Sequence, residues 1–344
     1  MISIGWKAGV EQYNPSDLLE HAIAAERAGF DFLEASDHFH PWDEAGQASF
    51  VWTWLGSVAS RTSRILIGPG LTCPILRYHP AIIAQAAATV GALAQGRTFL
   101  CVGTGEALNE YPVTGLWPDY EERQERLGEA VDLIRALWTG KRISHSGMYY
   151  CTRGAKLYTL CPEPIPIYVS SLVPDTAGFA GRYGDGLITI GGKKSRVYQQ
   201  LLANFEMGAR DAGKDPSTMS RMIEVLVAYT DDEASAIACV RKYWAGAFVP
   251  ALFNERIFIP QVSAENGEVV GNDTIKRGMC LSGDPDDHIK FLLHFVDLGF
   301  DQLAIHSAGP DQLAFVEGYG RDVIPHLREE GGNVIAHQNR NRYS

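Results

Sequence analysis

The sequence predicts an α/β protein, a (β/α)8 barrel of the TIM type with insertions. Three observations predict it. Eight short apolar runs recur along the 344 residues, with amphipathic stretches of helical period between them. Neighbouring runs stand about 30 residues apart in much of the chain, the length of a βαβ unit. A chain of 344 residues also fits one barrel of this kind carrying extra segments.

The elements follow in order. Ile2–Trp6 is a short apolar strand. Pro15–Gly29 reads as a helix, with Leu18, Leu19, Ala22, Ile23 and Ala25 on one face and Gly29 as its stop. Phe32–Ser36 is the second strand and Ile65–Gly68 the third, followed by the helix Pro80–Leu93. Thr98–Val102 is the fourth, followed by the long helix Tyr120–Trp138. Ile165–Ser170 leads to the helix Pro174–Tyr183, and Leu187–Ile190 to a helix over Arg196–Ala212. Met222–Tyr229 leads to a helix over Asp231–Trp244. Gln302–His306 is the eighth strand, and Gln312–His326 closes the pattern. Residues 1–344 are read as one barrel domain. Its insertions lie near 39–57, 141–164 and 245–276, the second of them expected to hold a small hairpin. Connections of this length in a compact domain are usually functional.

Composition narrows the function. Thirty Lys and Arg against 41 Asp and Glu give a net charge of -11, with no basic block. Nucleic acid and anionic membrane are poor partners for such a chain. No apolar run is long enough to span a bilayer. The first residues show no secretory pattern, and the six cysteines are scattered without zinc spacing. A reduced, cytoplasmic protein without a metal is expected.

In a barrel of this class the site lies at the C-terminal ends of the strands. There the second strand ends in Ser36-Asp37-His38-Phe39-His40-Pro41-Trp42, an imidazole beside a carboxylate and an indole. A histidine at that position suits proton transfer near neutral pH, although a loop histidine satisfied by its neighbours is the plain alternative. The fourth strand ends in Gly103-Thr104-Gly105-Glu106, where glycines admit a ligand close to the backbone. Leu108 stands where a dinucleotide fingerprint needs its third glycine. Gly191-Gly192-Lys193-Lys194 and the helix start at Pro174 suit an anion. Arg256 and Arg277 flank the last insertion. Trp42, Phe50, Trp52 and Trp54 either wall a pocket or pack as core.

Four segments occur together: Glu11-Gln12-Tyr13, Ser36 to Trp42, Cys73-Pro74-Ile75-Leu76-Arg77-Tyr78-His79-Pro80-Ala81, and Gly103 to Glu110. In this order the chain resembles the deazaflavin (coenzyme F420)-dependent dehydrogenases of the luciferase-like superfamily. Its nearest branches are similar to the glucose-6-phosphate dehydrogenases and the secondary alcohol dehydrogenases. The resemblance runs over nearly the whole chain and is strongest over residues 1–140. It implies an enzyme that moves a hydride from a CH–OH carbon to C5 of F420. The substrate it implies is a small molecule, a sugar 6-phosphate such as glucose 6-phosphate, with a neutral secondary alcohol as the alternative. A homodimer is expected on the same ground.

The resemblance also implies site residues. His38, Glu106 and Trp42 are the catalytic set, with the choice of base between His38 and Glu106 left open. Asp37 or a backbone group would orient the imidazole. Asp37, Gly70, Leu71, Thr104, Gly105, Asn109, Ser170, Ser171, Leu172 and Val173 are the cofactor-binding set, with a cis peptide at Gly70–Leu71. Leu172-Val173 replaces the glycines that cradle the F420 phosphate in the family, while the helix start at Pro174 survives. Glu11, Lys193, Arg256 and Arg277 are the substrate-binding set. Two other readings remain: an FMN monooxygenase on the same barrel, and a non-catalytic F420-binding barrel.

Overall fold

A computed structural model describes residues 2–249 and 256–342, with side chains through Val334. Eight parallel strands form the barrel: β1 Ser3–Ala8, β2 Phe32–Ala35, β3 Leu66–Pro69, β4 Leu100–Val102, β5 Ile167–Ser170, β6 Gly186–Ile190, β7 Ser220–Tyr229 and β8 Gln302–Ser307. They neighbour one another in the order β3-β2-β1-β8-β7-β6-β5-β4. Two isolated parallel bridges, Ile67–Thr98 and Thr72–Val102, join the β3 and β4 ends. All eight strands overlap the sequence-derived runs, with ends shifted by at most two residues.

Alternation along the strands builds the interior in layers. Phe32, Phe99, Cys101, Tyr168, Ile188, Met222 and Ala304 fill the lower layer, and Leu71 packs onto it. Gly5 belongs to this layer because a Cβ there would fall 2.1 Å from the Phe32 ring. Two residues further along each strand, the same face carries Lys7 after Gly5, Glu34 after Phe32, Glu224 after Met222 and His306 after Ala304. A charged layer therefore lies between the apolar floor and the mouth of the barrel. The opposite faces, with Ile4, Trp6, Leu33 and Ile67, pack against the surrounding helices.

Local chemistry explains the helix limits. Asn14 caps the helix Pro15–Ala28 by accepting from the Ser16 and Asp17 N–H groups, and Gly29 ends it at φ 95°. The helices Pro80–Leu93, Tyr120–Trp138 and Pro174–Tyr183 match their expected bounds. The 141–164 segment holds the expected antiparallel hairpin, Ile143–Ser146 with Cys151–Ala155.

Several segments differ from the sequence reading. The aromatic segment after β2 contains a helix, Val51–Arg61. Trp52 and Trp54 are 7% and 5% exposed in its core-facing stripe, so they are packing rather than pocket wall. Ala107–Thr114 is a further helix, directly after Glu106. The expected helix to Trp244 is α-helical over Glu233–Cys239 and widens to a π turn over Val240–Trp244. The 245–276 insertion contains helices Pro260–Glu268 and Asn272–Gly278. Beyond it, a short strand Cys280–Ser282 pairs with the end of β7, and a helix Pro285–Leu298 precedes β8. The closing helix is likewise interrupted, by a π turn at Tyr319–Val323.

Candidate active site

The loop after β1 supplies Glu11, the loop after β2 supplies His38 and Trp42, and the loop after β4 supplies Glu106. Glu11 is fully buried. Its Oε1 lies 2.5 Å from His38 Nδ1, and its Oε2 accepts from the Trp42 backbone N–H at 2.8 Å. One carboxylate thus sets both the imidazole and the turn that carries the indole. Trp42 Nε1–H donates to Glu106 Oε2 at 3.2 Å, and Asn109 Nδ2–H donates to the same oxygen at 3.1 Å. The His38 and Trp42 rings lie 5.6 Å apart. The His38 Nε2 atom makes no hydrogen bond within the described residues.

Burial alone would lower the His38 pKa, but the Glu11 hydrogen bond and charge, with Glu106, outweigh it and raise the value above that of an ordinary histidine. Burial raises Glu106, against the pull of His38, Trp42 and Asn109. Two proton-carrying groups with perturbed affinities therefore face one space.

Three expected roles change in the structure. Asp37 does not reach the imidazole. Its carboxylate accepts from the Thr72 hydroxyl and, at 2.9 Å, from the Tyr78 hydroxyl, while Arg77 donates to the Asp37 carbonyl at 2.7 Å. Glu11 orients His38 instead, so neither of its oxygens is free for substrate. Asn109 also has its amide spent, since its Oδ1 accepts from Phe39 N at 2.7 Å and His40 N at 3.1 Å. It clamps the His38 loop to Glu106.

The other residues expected to bind the cofactor lie around the mouth. The Gly70–Leu71 peptide is cis, as the resemblance implies. A Cβ on Gly70 would sit 2.3 Å from Glu34 Oε2. Gly105 adopts φ 80°, and a Cβ there would meet Cys73 Sγ at 2.6 Å. Thr104 precedes it, half-buried. Across the mouth, Ser170 ends β5 and Ser171 is buried, its hydroxyl 2.5 Å from that of Thr176. Leu172 is half-buried, and Val173 starts the helix Pro174–Tyr183 without a side-chain cap.

The basic residues are only partly gathered. Lys193 is half-buried after β6. Its ammonium makes no ion pair within the described residues, and burial pushes its pKa down to about 8. Gly192 backs onto the carbonyl of Gly278, which brings the Lys193 turn beside the helix that carries exposed Arg277. Arg256 is exposed elsewhere, along a cleft with Tyr111, Trp117 and Arg126.

Sequence reasoning missed the charged layer beneath the site. Lys7 donates to the Gly70 carbonyl and, at 2.9 Å, to Glu224 Oε2, and lies 3.5 Å from Glu34 Oε1. His306 Nδ1 lies 3.2 Å from Glu224 Oε1, and the His306 ring meets Trp244 edge-on at 4.1 Å. Trp244 in turn meets Trp42 at 6.3 Å. The signal was available: four polar residues at the strand alternation that points inward.

An eight-stranded parallel barrel with a histidine–glutamate pair at its C-terminal mouth defines the class, an α/β-barrel enzyme. The chain belongs to the luciferase-like monooxygenase family, whose profile matches residues 2–302. It is 42% identical over 331 residues to the F420-dependent glucose-6-phosphate dehydrogenase of Segniliparus rotundus, covering 95% of this chain and 98% of the relative. The enzyme of the same description from Intrasporangium calvum is 39% identical, with 95% and 99% covered. Among solved structures, an F420-dependent secondary alcohol dehydrogenase in complex with an F420–acetone adduct superposes at TM-score 0.91. It is 37% identical, with 95% and 99% covered.

Proposed function

We propose that this chain is an F420-dependent dehydrogenase that takes a hydride from a CH–OH carbon, with glucose 6-phosphate as its substrate. The observation that carries the reading is the anchored His38 of the mouth, held through Nδ1 by buried Glu11, with Trp42 bridging to Glu106. The relatives at about 40% identity over nearly the full chain support the cofactor and the reaction.

At Gly70 and Gly105 the backbone comes so close to Glu34 and Cys73 that a Cβ has no room. Leu71 caps the apolar floor between them. Gly70, Leu71, Thr104 and Gly105 would hold the ring. The Ser170–Val173 loop and the uncapped start of the Pro174–Tyr183 helix would hold the phosphate, as exposed first-turn N–H groups do. When bound, F420 supplies the hydride acceptor at C5 of its deazaflavin.

The protein's own groups do the rest. His38 Nε2 accepts the proton of the substrate hydroxyl, and Glu11 fixes the ring and stabilises the imidazolium that results. Trp42 covers the reacting carbon and excludes water. Glu106, held through Oε2 by Trp42 and Asn109, would manage the proton that accompanies cofactor reduction. Lys193, with Arg277 beside its turn, receives the substrate phosphate.

A second reading, a neutral secondary alcohol as substrate, is favoured by the close superposition on the alcohol dehydrogenase. A screen of F420 reduction with glucose 6-phosphate and with isopropanol separates the two. F420 reduction by neither overturns the dehydrogenase reading and leaves a barrel that only binds F420. NADP reduced in place of F420 overturns the cofactor. The reading extends to one barrel domain, a cytoplasmic location supported by six free cysteines, and a homodimer that light scattering tests.

A further inference from the structure

Lys7 is 3% exposed near the C-terminal end of β1, where an apolar side chain would fill the space at lower cost. Its ammonium grips a main-chain group. Lys7 Nζ donates to the carbonyl of Gly70, at the end of β3, and its charge is balanced by Glu224 at 2.9 Å and Glu34 at 3.5 Å. The Gly70 N–H donates to the Ala35 carbonyl at 2.8 Å. The far side of the same turn is tied to β4, where Thr72 N–H donates to the Cys101 carbonyl at 3.0 Å and Gly103 N–H to the Thr72 carbonyl at 3.1 Å. The Gly70–Leu71 peptide thus spans the seam between β3 and β4, where two isolated bridges replace a ladder. Lys7 reaches it from β1, across β2. Glu34 fills the space behind Gly70 so closely that no side chain fits there.

We propose that Lys7 is a positioning residue for the cofactor site. By holding the Gly70 carbonyl, its ammonium fixes the Gly70–Leu71 peptide as the wall on which the cofactor ring rests. The inference rests on the F420 reading above. It assigns to a buried lysine the part a strand ladder plays elsewhere in the barrel, and it makes Glu34 and Glu224 the counter-charges that keep the lysine charged.

The test uses the whole chain and compares F420 affinity, from quenching of F420 fluorescence, with thermal melting in the absence of F420. The main variant is Lys7→Met/Glu34→Gln, which removes one charge of each sign and leaves Glu224 with His306. The expected result is F420 binding at least tenfold weaker, with melting within a few degrees of the parent. Ile223→Ala, a truncation on the outward, helix-facing side of β7 that leaves Lys7, Glu34 and Glu224 in place, is expected to bind F420 within threefold of the parent. Should the double variant not fold, Lys7→Gln is read in the same way. A folded Lys7 variant that binds F420 within threefold of the parent overturns the proposal. Equal losses in Ile223→Ala and in the Lys7 variant also overturn it, because a general disturbance of the core then explains both. A parent that binds no F420 overturns the cofactor reading itself, a result distinct from the other two.

Discussion

His38 owes its chemistry to Glu11 rather than to its sequence neighbour Asp37. Burial lowers the histidine, while the hydrogen bond and charge of Glu11, with the charge of Glu106, together raise it by more. A base must be neutral to take a proton, so a raised pKa puts the acidic fall in kcat/KM above the pH of an ordinary histidine. Replacing Glu11 with Gln removes the opposing charge and leaves burial in place. The fall in kcat/KM is then expected to move to lower pH, and a pH–rate profile of parent and Glu11→Gln checks it. Removal of a proton-transfer group typically costs about 10²–10⁴-fold in rate. His38→Ala and Glu106→Gln are each expected to lose turnover in that range while F420 affinity stays within about tenfold, as read by steady-state kinetics and fluorescence titration. Parent-like turnover in both variants would place the chemistry elsewhere.

At the scale of elements, the turn after β6 is where substrate choice is tested. Lys193 is held half-buried without a carboxylate, so its ammonium lies at the edge of losing its proton near pH 8. A phosphate dianion would supply the missing counter-charge. Removing Lys193 is expected to weaken glucose 6-phosphate by about 1.5–3 kcal/mol, the worth of a hydrogen bond to a charged group. That is about 10–150-fold in affinity. Isopropanol turnover is expected to stay unchanged. Inorganic phosphate is expected to compete in the parent and less in Lys193→Ala. A parent that prefers isopropanol would make Lys193 an ordinary lysine. The Asn14 cap offers a separate check on stability. Asn14→Ala removes the acceptor for two first-turn N–H groups and is expected to cost about 1 kcal/mol in denaturant unfolding.

For the whole molecule, the barrel is unevenly sewn. β8 pairs with β7 along its length, from Gln302–Met222 to Ser307–Val227, while the β3–β4 seam has two bridges. Amide exchange under native conditions is therefore expected to be faster at Ile67, Phe99 and Thr72 than along β7 and β8. Slower exchange at the seam would contradict this order. The seam lies beneath the face where the cofactor is proposed to rest, so bound F420 is expected to slow exchange at Thr72 and Gly103 first.

The eight strands and the helices Pro80–Leu93, Tyr120–Trp138 and Pro174–Tyr183 were legible in the chain because period and punctuation are local properties. Proline at the start of a helix and a change of hydrophobic period need no distant partner. The segments Ser36 to Trp42 and Gly103 to Glu106 were legible too, since strand ends in a barrel face one mouth. Val51–Arg61 and Pro285–Leu298 were not read as helices, although Pro285 opens the second and Gly299 ends it. In the first, aromatic bulk masked the helical stripe. What each of the polar side chains near the site binds was decided only in three dimensions. Glu11, Asp37 and Asn109 are alike in sequence as polar residues near a site, yet one holds an imidazole, one a threonine–tyrosine–arginine cluster and one a loop. Lys7, Glu34, Glu224 and His306 come from four strands up to 299 residues apart. Only barrel closure brings them into one layer, where fixed geometry sets Lys7 against Glu224 and Glu34, and Glu224 against His306, beneath the site.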